Sequence, residues 1–305
     1  MAVVEEDVVA AEVDSSKRSK DLFGLGWRPQ LAAGILLNLD RVDLVEVIAD
    51  DFFKAPWRER RALRTLATQL PVTLHGVTLG LASSVNVDRR RLDCVARLCE
   101  EIVPLSWSEH LAFVRGGGIE IGHLAAPPRC DETLEGTLRN LLLARRVVGV
   151  APQVENIATL LDPPLSSYDE ATWVAEIICN SESDLLLDLH NLYANASNFG
   201  FDPVAFISRI PGSRIRGIHL SGGKWVGREN DQRILDDHLH DVPDPVYALL
   251  EEVGARTEPG LTIILERDGE YPPTEILLNQ LDRAREALAR GRARKRTVVF
   301  REAAA

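Results

Sequence analysis

The sequence predicts an α/β fold, a closed TIM (β/α)8 barrel with a metal site at the C-terminal ends of its strands. Three observations predict it. Short, nearly continuous apolar runs alternate with stretches of helical spacing, eight times in order, as parallel strands buried on both faces require. Six of these runs place a histidine or carboxylate at or next to their ends: His75, His110, Glu155, Asp188, His219 and Glu266. The length of 305 residues suits a single barrel of this kind.

Taken in order, residues 1–20 are charged, without aromatics or periodicity, which predicts a disordered tail. The barrel domain is expected over 21–290. Leu22 to Trp27 forms a first strand, and the apolar run from Val42 to Ala49 a second. Leu63, Leu66 and Leu70 set a helix from Trp57 that stops at Pro71. Val72 to Val77 is the third strand. Arg89 to Ile102 carries Leu92, Val95, Leu98, Cys99 and Ile102 on one helical face. A strand from Leu105 to Val114 follows, then a hairpin excursion at Gly116-Gly117-Gly118 that carries His123 in a structural role. Leu134 to Val148 is helical. Strands at Pro152 to Ile157 and Leu185 to Leu192 flank a helix from Glu170 to Asn180. Asp202-Pro203 opens a helix to Ile210, with Asp suited to the cap and Pro to the first turn. Ile215 to Leu220 is a strand, and Ser221 to Val242 is the longest irregular stretch, placed by its position after a strand on the catalytic face. Asp244-Pro245 opens a helix to Val253 in the same way as Asp202-Pro203. The last strand is Leu261 to Leu265, the last helix Pro273 to Leu288, and 291–305 a basic C-terminal tail.

The net charge of −11 argues against nucleic acid as a partner, since phosphate binding needs a cationic footprint. No apolar run approaches the ~18 residues of a membrane span, and the N-terminus lacks the pattern of a secretion signal. Cys94, Cys99, Cys130 and Cys179 show neither CxxC spacing nor a disulfide framework, so the cytoplasm is the expected compartment.

In a parallel barrel the six strand-end residues converge on one mouth. Asp236, His238 and His240 join them from the long loop after the seventh strand. With His190 beside Asp188, six of the seven histidines of the chain lie in these places. A single strand-end histidine or acid is usually a hydrogen-bonded polar residue. Burying so many together without a cation is costly, and they exceed the three or four ligands one ion takes. Imidazole and carboxylate without thiolate suit iron, manganese or zinc. Asn156 and Asn191 are placed to orient ligands. His190, two residues after Asp188, shares its strand face if the strand is regular. Lys224 and Arg228 in the long loop could hold an extended peptide. Gly24-Leu25-Gly26 lacks the third glycine of a dinucleotide fingerprint, Gly222-Gly223-Lys224 has no Walker pattern around it, and no GxSxG elbow is present. A divalent-metal isomerase, or a hydrolase of the endonuclease IV type, is the alternative function for such a barrel.

Several motifs together resemble a known family. They are Gly24-Leu25-Gly26-Trp27-Arg28-Pro29, Leu74-His75-Gly76-Val77-Thr78-Leu79-Gly80, Ser108-Glu109-His110-Leu111-Ala112, Val154-Glu155-Asn156, Leu187-Asp188-Leu189-His190-Asn191, Asn198-Phe199-Gly200-Phe201-Asp202-Pro203, Ile218-His219-Leu220-Ser221-Gly222, Asp236-Asp237-His238 and Glu266-Arg267-Asp268. In order and spacing they resemble the DUF692 family, whose characterised members are multinuclear non-haem iron-dependent oxidative enzymes, such as those of methanobactin biosynthesis. The resemblance runs from about Phe23 to Leu288. It implies two or three iron ions in a mixed Fe(II)/Fe(III) state and dioxygen as co-substrate. It implies a ribosomally made precursor peptide as substrate, commonly modified at cysteine, and a partner protein that binds the peptide leader. It places metal ligands at His75, His110, Glu155, Asp188, His219, Asp236, His238 and Glu266. This chain departs from the family pattern at Gly223, where a further histidine is common, at His190, where asparagine is common, and at Asp50-Asp51, in place of Glu-Asn.

Overall fold

The computed structural model describes residues 20–228 and 231–303. The expected tail at 1–20 lies, apart from Lys20, outside the described residues. Eight parallel strands close the barrel: β1 (Leu22–Gly26), β2 (Leu44–Ile48), β3 (Val72–Gly76), β4 (Trp107–His110), β7 (Gln153–Glu155), β8 (Leu185–Asp188), β9 (Ile215–Leu220) and β12 (Thr262–Leu265). They neighbour one another in that order, and β12 returns to β1. Two antiparallel hairpins interrupt the alternation, β5 (Phe113–Gly116) with β6 (Ile119–Ala125) and β10 (Lys224–Val226) with β11 (Arg233–Leu235). Both follow a barrel strand, so they stand on the C-terminal side.

The helices are α1 (Ala32–Leu36), α2 (Trp57–Ala67), α3 (Arg89–Ile102), α4 (Asp131–Val148), α5 (Glu170–Asn180), α6 (Leu189–Phe199), α7 (Pro203–Arg209), α8 (Asp244–Arg256) and α9 (Thr274–Ala303). They lie outside the strands with their apolar faces inward. In α3, for example, Leu92, Val95, Leu98 and Ile102 are buried. Asp88, Asp169 and Asp202 cap α3, α5 and α7 by accepting a backbone N–H of the first turn, which offsets the unpaired donors of a helix start.

Five sequence expectations are corrected. The strand expected over Leu185 to Leu192 ends at Asp188, because that carboxylate accepts the backbone N–H of Asn191 and starts α6 at Leu189. The strand expected over Leu105 to Val114 breaks after His110, where the backbone leaves the barrel for the β5–β6 hairpin. The stretch from Ser221 to Val242 is not wholly irregular, since it holds β10 and β11. Asp244 does not cap α8 as Asp202 caps α7; it is the first helical residue, behind Pro243, and makes no side-chain cap bond. The last helix runs to Ala303, through the position expected to end the domain, and Arg292 within it is buried against Thr257, with Nη1 2.9 Å from Oγ1.

Candidate metal centre

Parity along the strands decides which side chains enter the barrel. Residues paired in register across parallel strands share a face, and so do residues two apart on one strand. Glu46 pairs with Thr73 and Ile48 with His75. His75 pairs with Ser108, His110 with Glu155, Glu155 with Leu186 two residues before Asp188, and Asp188 with His219. This chain of pairings puts Glu46, His75, Ser108, His110, Glu155, Asp188 and His219 on the inner face. Glu266 follows β12 at the same mouth and is 5% exposed.

Three groups of side chains offer ligand atoms that all lie within 4.8 Å of one another and could hold a metal ion: His75 with His110 and Glu155; Glu155 with Asp188, His219 and Glu266; and Glu46 with His75 and His219. Glu155 belongs to two of them. Its Oε2 lies 3.3 Å from His75 Nε2 and 3.4 Å from His110 Nε2, and its Oε1 lies 3.2 Å from His219 Nδ1. Glu266 Oε2 is 3.1 Å from the same His219 nitrogen.

The hydrogen bonds behind these rings show which nitrogens face the pocket with a lone pair. His110 Nδ1 is 3.1 Å from the carbonyl oxygen of Gly76, which can only accept. In the neutral ring the proton is therefore on Nδ1, and the lone pair is on Nε2 towards Glu155. With that ring neutral, two acceptors would face each other at 3.4 Å, an arrangement that calls for a proton or a metal ion between them. Glu155 Oε2 and Asp188 Oδ2 are buried without a hydrogen-bond partner, as carboxylate oxygens awaiting an ion would be. The other side of Asp188 is fully engaged. Its Oδ1 accepts from the Asn191 amide at 2.7 Å, and its backbone N–H donates to Asn156 Oδ1 at 2.9 Å. Asn156 Nδ2 in turn donates to the carbonyl of Asp188 at 3.0 Å.

The charges are strongly coupled. Burial alone would lower the His110 pKa, but Glu155, Glu109 and Glu266 outweigh it and hold it at about 9. His219 and His238 are likewise raised well above the ordinary range against the effect of burial, by Glu266 first among the charges. Glu155 and Glu266 are lowered by the surrounding imidazoles, again against burial. Asp188 moves the other way: burial, then Asp236 and Glu155, push it well up. Such a pocket needs its carboxylates balanced by protons or by metal.

A second set adjoins this centre. His190 Nδ1 is 2.7 Å from Asp236 Oδ1, Asp236 Oδ2 is 3.0 Å from His238 Nε2, and His238 Nδ1 is 3.5 Å from Glu266 Oε2 and 3.2 Å from Asp268 Oδ2. His238 has φ 54°, the left-handed region that costs a non-glycine residue energy and is found at functional sites. His190 is brought here by the first turn of α6, not by a strand face shared with Asp188. Gly223 lies against it: a Cβ at 223 would sit 2.7 Å from His190 Cε1 and closer still to the carbonyl of Leu235. His240 stands apart, 42% exposed and bonded to Asp237. Lys224 pairs with Asp237 at 3.3 Å, and Arg228 is exposed. His123 is exposed on β6, as a residue outside the centre.

Two residues near the centre were missed in the sequence. Glu46 sits mid-strand rather than at a strand end; its signal is an acid at one inward position of an apolar run. Asp268, bridging His238 and Arg28, stood in the Glu266-Arg267-Asp268 motif without being marked as a site residue.

Residues 22–289 match the family of RiPP precursor modification enzymes MbnB/TglH/ChrH. A UPF0276 protein of Rhizorhabdus wittichii is 35% identical over 276 residues, which cover 89% of this chain and 96% of that protein. A UPF0276 protein of Caulobacter vibrioides is 33% identical over 274 residues, with the same coverage of 89% and 96%. In Streptomyces avermitilis a UPF0276 protein is 33% identical over 272 residues, and this chain spans about half of its length, 54%. Among solved structures, a xylose isomerase domain protein from Planctomyces limnophilus superposes with TM-score 0.55 at 14% identity, covering 92% of this chain and 99% of that one. Endonuclease IV from Thermus thermophilus does so with TM-score 0.54 at 16% identity, covering 88% and 99%. At such identities the likeness shows the fold alone.

Proposed function

We propose, from the premise that this chain belongs to the MbnB/TglH/ChrH family of RiPP precursor modification enzymes, that it oxidatively modifies a ribosomally made precursor peptide. The modification would use dioxygen and two or three iron ions in a mixed Fe(II)/Fe(III) state, at cysteine or another side chain near the peptide core. The observation that carries this reading is the overlap of two buried donor groups on one carboxylate, Glu155, a bridge that suits more than one ion. The donors are imidazole and carboxylate without thiolate, a set that suits iron.

One ion would be held by His75, His110 and Glu155, and a neighbour by Glu155, Asp188, His219 and Glu266. Asp236 and His238 adjoin the second group through Glu266 and would serve a third. Bound iron would supply one-electron chemistry and Lewis acidity. The chain's own part is geometry. The Gly76 carbonyl and Ser108 Oγ hold the rings of His110 and His75, and Asn156 and Asn191 hold Asp188. Among the described residues no helix is long and apolar enough to cross a membrane. The peptide would approach over the β10–β11 hairpin, where Lys224 and Arg228 are exposed, delivered by a protein that binds its leader.

The test is metal analysis of protein made with iron supplementation, joined to mass spectrometry of a candidate precursor peptide incubated with it in air. More than one iron per chain and an oxygen-dependent mass change are expected. One zinc, no iron and an unchanged peptide would defeat the reading.

A further inference from the structure

The third donor group, Glu46 with His75 and His219, turns on a count of lone pairs. A neutral imidazole has one nitrogen lone pair and one N–H. His75 Nδ1 is 2.8 Å from Ser108 Oγ, and that hydroxyl donates to the carbonyl of Leu74 at 3.4 Å. Ser108 therefore accepts from His75 Nδ1, and the His75 lone pair lies on Nε2, which faces Glu155. His219 turns Nδ1 to Glu155 and Glu266. With His75 Nε2 engaged beside His110, and His219 Nδ1 engaged beside Asp188 and Glu266, no nitrogen lone pair remains for an ion at Glu46. Without an ion His219 Nδ1 is hydrogen-bonded to Glu155 at 3.2 Å; once an ion takes that place, the proton left to the ring is on Nε2, 2.8 Å from Glu46 Oε1.

We propose that Glu46 is a positioning residue of the metal centre: its carboxylate receives the Nε2–H of His219, sets the tautomer of that ring and aims Nδ1 at the ion shared with Glu155, Asp188 and Glu266. The inference rests on reading this pocket as a metal centre. His219 would then bind through Nδ1, whereas His75 and His110 present Nε2. Three features support it. Glu46 is 3% exposed and His219 is fully buried, so water does not replace the contact. Thr73 Oγ1 donates to Glu46 Oε2 at 3.4 Å, which holds the far side of the carboxylate. Glu46 Oε1 and His219 Nε2 are both buried and neither has a partner that meets hydrogen-bond geometry, so their 2.8 Å contact is the polar contact left to each of them. The contact is oblique to the N–H direction, so an ion among Glu46, His75 and His219 is the competing arrangement. With the other two groups filled, the lone-pair count leaves that arrangement no imidazole donor, and the titration below distinguishes the two.

The test uses the full chain, stripped by chelation and titrated without air with Fe2+ and separately with Zn2+. Glu46→Gln keeps the size of the side chain and removes its charge; Glu46→Asp keeps the charge and withdraws it from the ring. Both variants are expected to bind as many ions per chain as the unsubstituted protein and to hold them roughly 10- to 100-fold more weakly. In Co2+-loaded protein, the exchangeable ring N–H resonance of His219 should shift in Glu46→Gln while those of His75 and His110 stay. A purely structural role would lower the melting temperature of the stripped protein without changing affinity. Loss of one whole ion per chain would make Glu46 a ligand and overturn the proposal, as would unchanged affinity in both variants. An unsubstituted chain that binds no divalent ion overturns the metal centre itself, and with it this role.

Discussion

His110→Ala separates the two ways in which this pocket can balance its charge. In the metal-free protein the His110 imidazole is protonated up to about pH 9, against an ordinary value of 6.5. A group whose folded value is raised stabilises the fold fully below its unfolded value, and that stability is lost as pH rises through the folded value. The difference corresponds to roughly 3 kcal/mol at about 1.4 kcal/mol per tenfold change in proton affinity. Urea denaturation of chelated protein should therefore show stability falling by about that much between pH 6.5 and 9 on account of His110. His110→Ala should remove that part of the slope. It should also destabilise the protein at pH 6, because Glu155 loses a buried partner. Metal binding should run the opposite way. Ligand nitrogens must shed protons before they bind, so affinity rises over the same interval. Parallel pH profiles for the chelated unsubstituted and His110→Ala proteins would refute the electrostatic account, and full metal content in His110→Ala would refute the ligand assignment.

Glu155→Ala should cost more than one ion per chain, because Glu155 serves two donor groups, whereas His110→Ala should cost one; native mass spectrometry of loaded proteins reads the difference. A truncation that begins at Asp21 should fold and load metal as the full chain does, since Asp21 itself accepts from the Gly260 and Leu261 amides; a fall in melting temperature of several degrees would contradict this. Replacing Lys224 and Arg228 together with alanine should raise KM for the peptide and leave iron content intact; unchanged peptide kinetics would place substrate entry elsewhere.

The barrel was legible because its strands are apolar runs of the right length separated by helical periodicity, and that pattern survives without tertiary information. The corrections cluster where a polar side chain overrides local propensity. Leu185 to Leu192 reads as one apolar strand, but the Asp188 carboxylate caps a helix that begins one residue later. The β10–β11 hairpin was hidden because its strands are three residues each and β11 is held by Asn198, whose Oδ1 accepts the Ile234 amide at 2.7 Å. At the centre, residues at strand ends were visible because their position is a convention of the fold. Glu46 was not, because its role depends on inward parity one layer deeper and on the ring of His219 beyond it. His190 was visible as a histidine, but its partner Asp236 lies 46 residues away, a separation no local pattern conveys.

Gly223 carries a consequence for how this protein can diverge. Its missing side chain is the space that His190 fills, and the carbonyl of Leu235 closes the same space from the hairpin. A relative with a larger residue at 223 must shift the Leu235 carbonyl, and with it the β10–β11 hairpin, and must turn or replace the ring at 190. The constraint runs from the loop to the helix: a side chain gained at 223 should appear in relatives together with a change at 190 or in the hairpin, whereas a smaller residue at 190 can stand beside glycine.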